Sequence, residues 1–527
     1  MKLRANWFDN AIGFFSPKAK TARLRHKLFS EYLQRKYEGA DTGRRTHGWN
    51  TSGTSANAET ATGLPALRNR SRDLVRNNPY AARGVSVVAN NVVGRGIFAQ
   101  IKVDNRSQVN RREANLNSLW KAWAETTACD FDGLNNFYGL QLLAMRSVVE
   151  SGEVLIRLRR EGRRKIVDRE GVEREVPPIS LQLLESDFLA TDQQLNKKLD
   201  NGGAIIQGIE VDSQGRVVAY HLYQWHPGSA DVFGFQKSLL DTVRVPADEI
   251  LHLYRMDRPG QLRGVPWLSP VMLRLRDFDL FEDAQLKRQQ TAAMFAGFIH
   301  DLQGLDEPLS ETDECEVGEK LEPGIMEILP PGKDIKFSSP PGAENYAEYT
   351  SAVLHAIATG LGITFESLTG DLSQVNFSSA RMGWLEMSRN LDTWRNNIVI
   401  QKMLVPAFDW FKDAAELIGQ STTGARAVFT PPRREMIDPT KEVPALKDAV
   451  RAGFKTLSEA VRESGYDPDT HFVEMQSDKE MLDELGLVLD SDPSQDAKRQ
   501  QPTGAPDQSS DQPAGQTSES PGDQPAE

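Results

Sequence analysis

The chain has 527 residues, 39% hydrophobic, 26% charged and 8% aromatic, a globular composition with polar excess whose length predicts roughly three to four domains. Its 62 Lys/Arg against 74 Asp/Glu give a net charge of −12, which argues against a protein that coats DNA through tight, sequence-blind phosphate contacts. Two cysteines, Cys129 and Cys315, exclude a disulfide framework and a Cys-based zinc site. No apolar run reaches the length of a membrane-spanning helix, and the N-terminus lacks the long apolar core of a signal peptide, so neither is expected.

Residues 1–50 carry eleven Lys/Arg against four Asp/Glu, and 18–37 predicts a basic amphipathic helix with Leu24, Leu28 and Tyr32 on one face. It is expected to be a surface helix that pairs with acidic partners, with nucleic-acid or membrane contact as the alternative. Residues 51–62, rich in Ser, Thr, Ala and Gly, predict a loop. Residues 64–93 predict two helices broken at Asn77-Asn78-Pro79, where Pro suits a first helical turn. Ala81, Val85, Val88 and Val92 line the second. Further helices are predicted at 108–125, with Trp120 and Trp123, and at 137–150.

A β-rich block follows, with strands at 153–158, 179–184, 204–211, 216–225, 242–245 and 250–254. Asp212-Ser-Gln-Gly215 is its clearest hairpin turn. Residues 270–296 then predict a helix of about 40 Å with a narrow stripe of Val271, Leu275, Phe278 and Phe281. Such a helix is expected to pack against copies of itself or one neighbour. The segment 297–342 holds eleven acidic residues and three lysines, with short strands predicted at 325–329 and 334–337. It reads as a solvated acidic insert or a docking module at the tip of a helical hairpin. A return helix is predicted over 344–359 with Gly360 as its stop, then a polar loop, then a long helix over 382–418 kinked at Pro406. Helices at 438–465 and 478–486 precede 491–527. That last segment has six prolines and no Leu, Ile, Val or aromatic residue, and is expected to be disordered.

The catalytic motifs are mostly missing. There is no phosphate-binding P-loop, no His-Glu-x-x-His and no Gly-x-Ser-x-Gly. Gly94-Arg-Gly96 follows a helix where a dinucleotide fingerprint needs a strand, so a turn is expected. His221 and His226 lie close in sequence without an evident carboxylate partner, and a metal site there is not expected. Asp130 and Asp132 carry the rival reading, a metal-dependent nuclease or phosphotransferase; an ordinary turn is the simpler account of Asp-x-Asp.

One stretch is far more specific. Ile357-Ala-Thr-Gly-Leu-Gly-Ile-Thr-Phe-Glu-Ser-Leu368, followed by Asn376-Phe-Ser-Ser-Ala-Arg381, resembles the lambda-type portal proteins of tailed bacteriophages. Asp73-Leu-Val-Arg-Asn-Asn-Pro-Tyr-Ala-Ala82, Val245-Pro-Ala-Asp-Glu-Ile-Leu-His252 and Arg258-Pro-Gly-Gln-Leu-Arg-Gly-Val-Pro266 agree in order, so the resemblance spans about residues 60–490. It implies an α+β, mainly helical subunit of a ring of about twelve copies, with wing, stem, clip and crown regions. The parts are a basic arm (1–62), wing (63–268), stem helix (269–296), acidic clip (297–342), second stem helix (343–362), tunnel loop (363–381), kinked wing helix (382–437), crown (438–490) and tail (491–527).

The implied function is a conduit at one capsid vertex for double-stranded DNA during packaging and ejection, with no cofactor and no catalysis. The implied partners are further copies of the chain, the terminase large subunit, the head–tail adaptor, the major capsid protein and scaffold, with no membrane. The implied places are the virion, at the portal vertex, and the host cytoplasm during assembly. Thr369, Asp371, Ser373, Gln374, Asn376 and Ser378 are the candidate DNA-channel residues, and Asp313, Glu314 and Glu316 the candidate docking residues of the clip.

Overall fold

A computed structural model describes residues 53–487 apart from 104–108, 168–170, 192–195, 230–240, 294–296, 302–332, 338–345, 434–435 and 437, together with isolated positions before residue 50. The basic helix expected over 18–37 falls almost wholly outside the described residues, as do 491–527, the strand expected at 325–329, and Asp313, Glu314 and Glu316. The chain divides into two units, Met1–Leu64 with Asp257–Leu262, and Pro65–Met256 with Arg263–Glu527.

In the smaller unit, Asn57 donates its side-chain amide to the Gly260 carbonyl and accepts from the Leu262 N–H. Arg258 pairs with Glu59 at 2.9 Å and donates to the Thr54 carbonyl. The loop expected over 51–62 stops short: α1 (Ala56–Asn77) begins inside it, with the Ser55 hydroxyl accepting from the Ala58 N–H. A Ser immediately before Ala, Asn and Glu is a helix start, which outweighs the local polarity.

The larger unit is mixed α and β, mainly helical. Asn78 caps α2 (Pro79–Val92), accepting from the Ala81 N–H, and Pro79 stands in the first turn as expected. β1 (Phe98–Val103), α3 (Val109–Ala124) and α4 (Phe137–Ser151) follow, and Gly94 (φ 55°) and Gly96 (φ 116°) make the turn before β1. The block after α4 gives β2 (Glu153–Arg160), β3 (Arg164–Val167), β4 (Glu173–Val176) and β5 (Ile179–Glu185). It continues with β6 (Lys197–Lys198), β7 (Ala204–Ile206), β8 (Ile209–Val211), β9 (Val217–Tyr223), β10 (Thr242–Pro246) and β11 (Ile250–Tyr254).

These strands form a five-stranded sheet, order β10-β9-β8-β7-β6, a three-stranded sheet, order β11-β2-β5, and the β3–β4 ribbon. The single strand expected over 204–211 is two. Gln207 (φ 50°) and Gly208 (φ 83°) make a two-residue turn with both φ positive, the geometry that matches strand twist in a hairpin. A side chain on Gly208 would press on the Ala190 backbone at 2.9 Å. The turn at Asp212–Gly215 is where it was expected, with Asp212 Oδ1 accepting from the Gln214 and Arg216 N–H groups.

The remaining elements are α5 (Met272–Ala293), β12 (Gly297–Asp301) paired antiparallel with β13 (Lys333–Phe337), α6 (Tyr346–Leu361), α7 (Phe365–Thr369), α8 (Phe377–Trp394), α9 (Val405–Leu417), β14 (Ala425–Thr430), α10 (Pro439–Arg451), α11 (Leu457–Glu463) and α12 (Pro468–Glu484). Between α8 and α9 the chain stays helical through a ten-residue π-helical stretch, Arg395–Leu404. Pro406 has no N–H to give and its ring crowds the carbonyl four residues back; widening the preceding turns relieves that crowding. The wide segment is held on both sides. Arg395 donates to the Asn91 and Val92 carbonyls at the end of α2, and Lys402 donates to the Tyr254 carbonyl from a position 4.1 Å over that tyrosine's ring.

Chain halves far apart in sequence share one core. β1 pairs antiparallel with β14, Phe98 opposite Thr430. Trp120, Trp123, Phe137, Phe408 and Phe411 form an aromatic cluster, with Trp120 edge-on to Phe411 at 4.9 Å and to Phe137 at 5.4 Å. Each such contact adds about 0.5–1.5 kcal/mol beyond the buried area. The helix expected over 438–465 is broken into α10 and α11, the second capped by Thr456, and the short final helix expected at 478–486 begins ten residues earlier at Pro468.

Candidate functional site

The two helices that flank the acidic segment, α5 and α6, face each other. Phe281 stacks on Tyr346 at 5.9 Å and leans on Tyr349 at 4.6 Å, while Phe278 meets Tyr80 of α2 at 5.7 Å. α6 does not stop at Gly360. Gly360 lies inside its last turn, where a Cβ would collide with Val271, so glycine there permits the close crossing before α5. The stop is Gly362 (φ 72°): its N–H donates to the Thr359 carbonyl and the Ile363 N–H to Ala358, a Schellman closure.

The polar segment expected as one loop over 363–381 is largely capping structure. Thr364 Oγ1 accepts from the Ser367 N–H and starts α7, Leu368 is buried, and Gly370 (φ 77°) ends it by donating to the Glu366 carbonyl. The Thr369 hydroxyl donates to the Phe365 carbonyl and accepts from the Asp371 N–H. Asp371 Oδ1 accepts from the Ser373 N–H at 2.9 Å, and hydrogen bonds from the Ser373 backbone and side chain hold its carboxyl below the usual range. Asn376 accepts from the Ser379 N–H at 2.8 Å and starts α8. Asp371, Ser373, Gln374, Asn376 and Ser378 are exposed and Thr369 half-buried. The segment thus presents a short, pinned polar turn. No Lys or Arg lies between Ile363 and Ala380.

Beside this turn, a cavity of about 650 Å³ is lined by Tyr80, Thr350, His355, Phe365, Thr369 and Asp371, among others. His355 stacks on Phe365 with ring centres 4.0 Å apart, which ties α6 to α7.

The start of α5 is anchored by a buried ionic cluster that reading the sequence did not single out. Glu153, the first residue of β2, and Arg263 are both fully buried. Arg263 Nε lies 2.9 and 3.1 Å from the two Glu153 oxygens, and its Nη1 donates to the Gln207 carbonyl at 3.0 Å. The Gly264 N–H donates to Glu153 Oε2 at 2.8 Å, and His252 Nε2 lies 3.0 Å from the same oxygen. Burial alone would raise the Glu153 carboxyl; the Arg263 charge and the His252 contact outweigh it and hold it far below the carboxylate range. Burial pushes the His252 ring down, so a neutral ring donates from Nε2. Gly152 (φ 92°) and Gly264 let the two backbones touch, since a Cβ on Gly152 would sit 2.5 Å from the Val265 carbonyl carbon. The pairs Gly152-Glu153 and Arg263-Gly264 were the available signal: charge beside glycine at both ends of one contact.

Neither candidate metal site survives the geometry. Asp130 is 4% exposed and its carboxylate accepts from the N–H groups of Asp132, Leu134 and Asn135 at 3.2, 3.0 and 2.8 Å. Both oxygens are spent on closing a turn, which overturns the nuclease or phosphotransferase reading of Asp130 and Asp132. Among the described residues, Glu185, Asp187 and His226 bring ligand atoms within 4.8 Å of one another. Arg72 Nη2 lies 2.7 Å from both carboxylates, so a guanidinium already holds the place a cation would take. His221 is paired with Glu210 at 3.1 Å, a carboxylate partner that sequence spacing did not reveal. No described helix is long and apolar enough to cross a membrane.

Comparison with known proteins identifies the family. The family model described as phage portal protein, lambda family, matches residues 42–395. The probable portal protein of Halomonas phage phiHAP-1 is 27% identical over 439 residues, 80% of this chain and 81% of that protein. Portal protein B of Escherichia phage lambda is 21% identical over 381 residues, 65% of this chain and 67% of its own length. Similar solved structures include the neck of a native gene transfer agent particle with C12 symmetry (15% identity, TM-score 0.42, 74% of this chain and 92% of that one). Another is an HK97 family phage portal protein from Corynebacterium diphtheriae (10% identity, TM-score 0.31, 74% of this chain and 99% of that one). With the family pattern matched over two thirds of its length, the chain belongs to the lambda family of phage portal proteins, structural components of the capsid and not enzymes.

Proposed function

We propose that copies of this chain close into a ring of about twelve at one vertex of the capsid, and that double-stranded DNA enters and leaves through its centre. One observation carries the ring. α5 buries Leu275 and Phe278 against its own subunit, yet its opposite face exposes Leu273 (76%) and Leu280 (54%), seven residues apart. Burying a leucine fully is worth about 1.5–3 kcal/mol, so two per copy, repeated round a closed ring, favour association. Exposed Arg274, Arg276, Asp277 and Asp283 on the same helix offer both signs of charge to set the register between copies.

The turn carrying Asp371, Ser373, Gln374, Asn376 and Ser378, with Thr369 behind it, is the proposed channel surface. It offers hydroxyls, amides and a carboxylate and no cation, so it touches a passing duplex without gripping phosphate. The acidic segment 297–342, with Asp313, Glu314 and Glu316, is the proposed dock for the terminase large subunit during filling and for the head–tail adaptor afterwards. Assembly with the major capsid protein and scaffold takes place in the host cytoplasm.

Leu280→Asp tests the ring. Leu280 is exposed, so the subunit keeps its fold and its circular dichroism, while mass photometry shifts from rings to single subunits. Rings of wild-type mass and yield from Leu280→Asp would remove the support.

A further inference from the structure

A cavity of about 590 Å³ opens between β1, α3 and the chain that runs from α11 into α12. Its walls are aromatic. Phe98 leans on Tyr138 at 4.5 Å, and Tyr466 stacks on His471 at 5.4 Å. Two buried polar atoms at this cavity have no hydrogen-bond partner: Nε1 of Trp120, a residue 1% exposed, and Oδ1 of Asp467. A lone buried donor and a lone buried acceptor each carry a desolvation cost that a ligand of the right polarity removes.

The cavity's charge points to that ligand: five carboxylates, Glu113, Glu125, Asp467, Asp469 and Glu474, line it against one lysine, Lys121. Asp469 is paired with Lys102, and Glu113 accepts from the Val103 N–H, so both are already engaged. Glu125 and Glu474, also lining the cavity, form no ion pair among the described residues, and Asp467 keeps one oxygen unused. Carboxylates around aromatic rings recognise a guanidinium, through charge-assisted hydrogen bonds and the ring faces together. Trp120 Nε1 needs an acceptor next to it, which the backbone carbonyl of a peptide supplies.

We propose that this cavity receives an arginine of the basic segment 18–37 from a second copy of the chain. That segment holds seven Lys/Arg against one acidic residue, Glu31, with Leu24, Leu28 and Tyr32 at helical spacing. Its charge complements the cavity, and its apolar residues complement the aromatic walls. The segment precedes the family match over residues 42–395, and Tyr466, Asp467, His471 and Glu474 follow it, while Phe98, Trp120, Glu125 and Tyr138 of the same cavity lie within it. Because the occupant belongs to a second copy, the inference rests on the ring reading.

The test uses the full-length chain with the photoreactive residue p-benzoylphenylalanine in place of Tyr466, assembled from an equal mixture of ¹⁴N- and ¹⁵N-labelled copies. The expected result is cross-linked peptides that join position 466 to residues 18–37 with mixed isotopes. Glu474→Lys lowers their yield about tenfold, the loss of one charge-assisted contact, and Arg23→Glu with Arg25→Glu in the same chain restores it. Cross-links that land elsewhere, join only like-labelled copies, or keep their yield in Glu474→Lys overturn the proposal. Particle mass is recorded on the same samples. Intact rings without the cross-link defeat this inference alone; single subunits throughout defeat the ring reading and this inference with it.

Discussion

Replacing Arg263 by Met removes the guanidinium that neutralises Glu153 and leaves its hydrocarbon stem in place. Both side chains are fully buried, so water cannot take over the lost contacts. Glu153 would retain the Gly264 N–H, His252 and the more distant Arg68 guanidinium at 3.9 Å, and the Gln207 carbonyl would lose its donor. Breaking a buried ion pair costs about 3–5 kcal/mol, and the remaining Arg68 contact puts this variant at the lower end of that range. Leu in place of Glu153 together with Met in place of Arg263 removes both charges but strands the Gly264 N–H, His252 and the Gln207 carbonyl, at about 1–3 kcal/mol each. An exposed pair such as Arg389–Glu386, 78% and 72% exposed, should give almost nothing on the same replacement. Urea unfolding followed by tryptophan fluorescence reads the difference, since Trp267 lies four residues from Arg263 and is buried. The pH dependence has a fixed sign. Glu153's folded pKa is depressed, so its stabilisation is complete above the ordinary carboxylate value of 4.5 and fades as pH falls below it. Glu153→Gln should flatten that acid limb. A cost below about 1 kcal/mol for Arg263→Met, the level of a surface pair, would refute the assignment of this cluster as the anchor of α5.

Three further outcomes follow from the same geometry. Replacing Asp371, Ser373 and Gln374 by Ala, with the Thr364 and Asn376 caps kept, should leave rings intact and lower packaging or DNA retention; full, infectious particles would withdraw the channel role. Asp130→Ala strands three backbone N–H groups and should lower stability by about 1–3 kcal/mol, with no response to Mg²⁺ or EDTA in a DNA-cleavage assay; metal-dependent cleavage lost in this variant would restore the rival reading. Gly360→Ala forces a methyl against Val271 and should cost about 1–3 kcal/mol, measured as a fall in thermal midpoint; a neutral result would show that α6 shifts freely past the start of α5.

Much of the helical frame was legible because its signals are local. Asn78-Pro79 is a cap and a first turn wherever it occurs, and α2 starts there. The stripe of Leu275 and Phe278 is buried as its spacing predicted. The errors came where a remote partner decides. Gly360 reads as a helix stop, but Val271 makes it a crossing point and leaves the stop to Gly362. Gln207-Gly208 folds back because Gly208 must sit against Ala190, and no turn signal as strong as Asp212–Gly215 marks it. Pro406 signals a break in the α pattern, but not that Arg395–Leu404 widens to the π form while Arg395 and Lys402 hold it to α2 and β11.

The polar segment over 363–381 shows a second reason. Its Thr, Asp and Asn residues matched a channel loop by composition, and most of them turn out to fix the backbone. Composition does not separate a capping side chain from one offered to a ligand; of the exposed polar residues Asp371, Ser373, Gln374, Asn376 and Ser378, two, Asp371 and Asn376, also fix the backbone. Glu153 and Arg263 were hard to pair for the opposite reason, since a charge beside a glycine was the only local signal. They stand 110 residues apart, and nothing in either neighbourhood states that the other is needed.

The central claim is that this chain works as a closed ring, and end-on electron micrographs of the purified full-length protein test it most directly. The account predicts particles of one rotational symmetry around an opening that passes a double helix. Single compact subunits at every concentration and salt condition would contradict it.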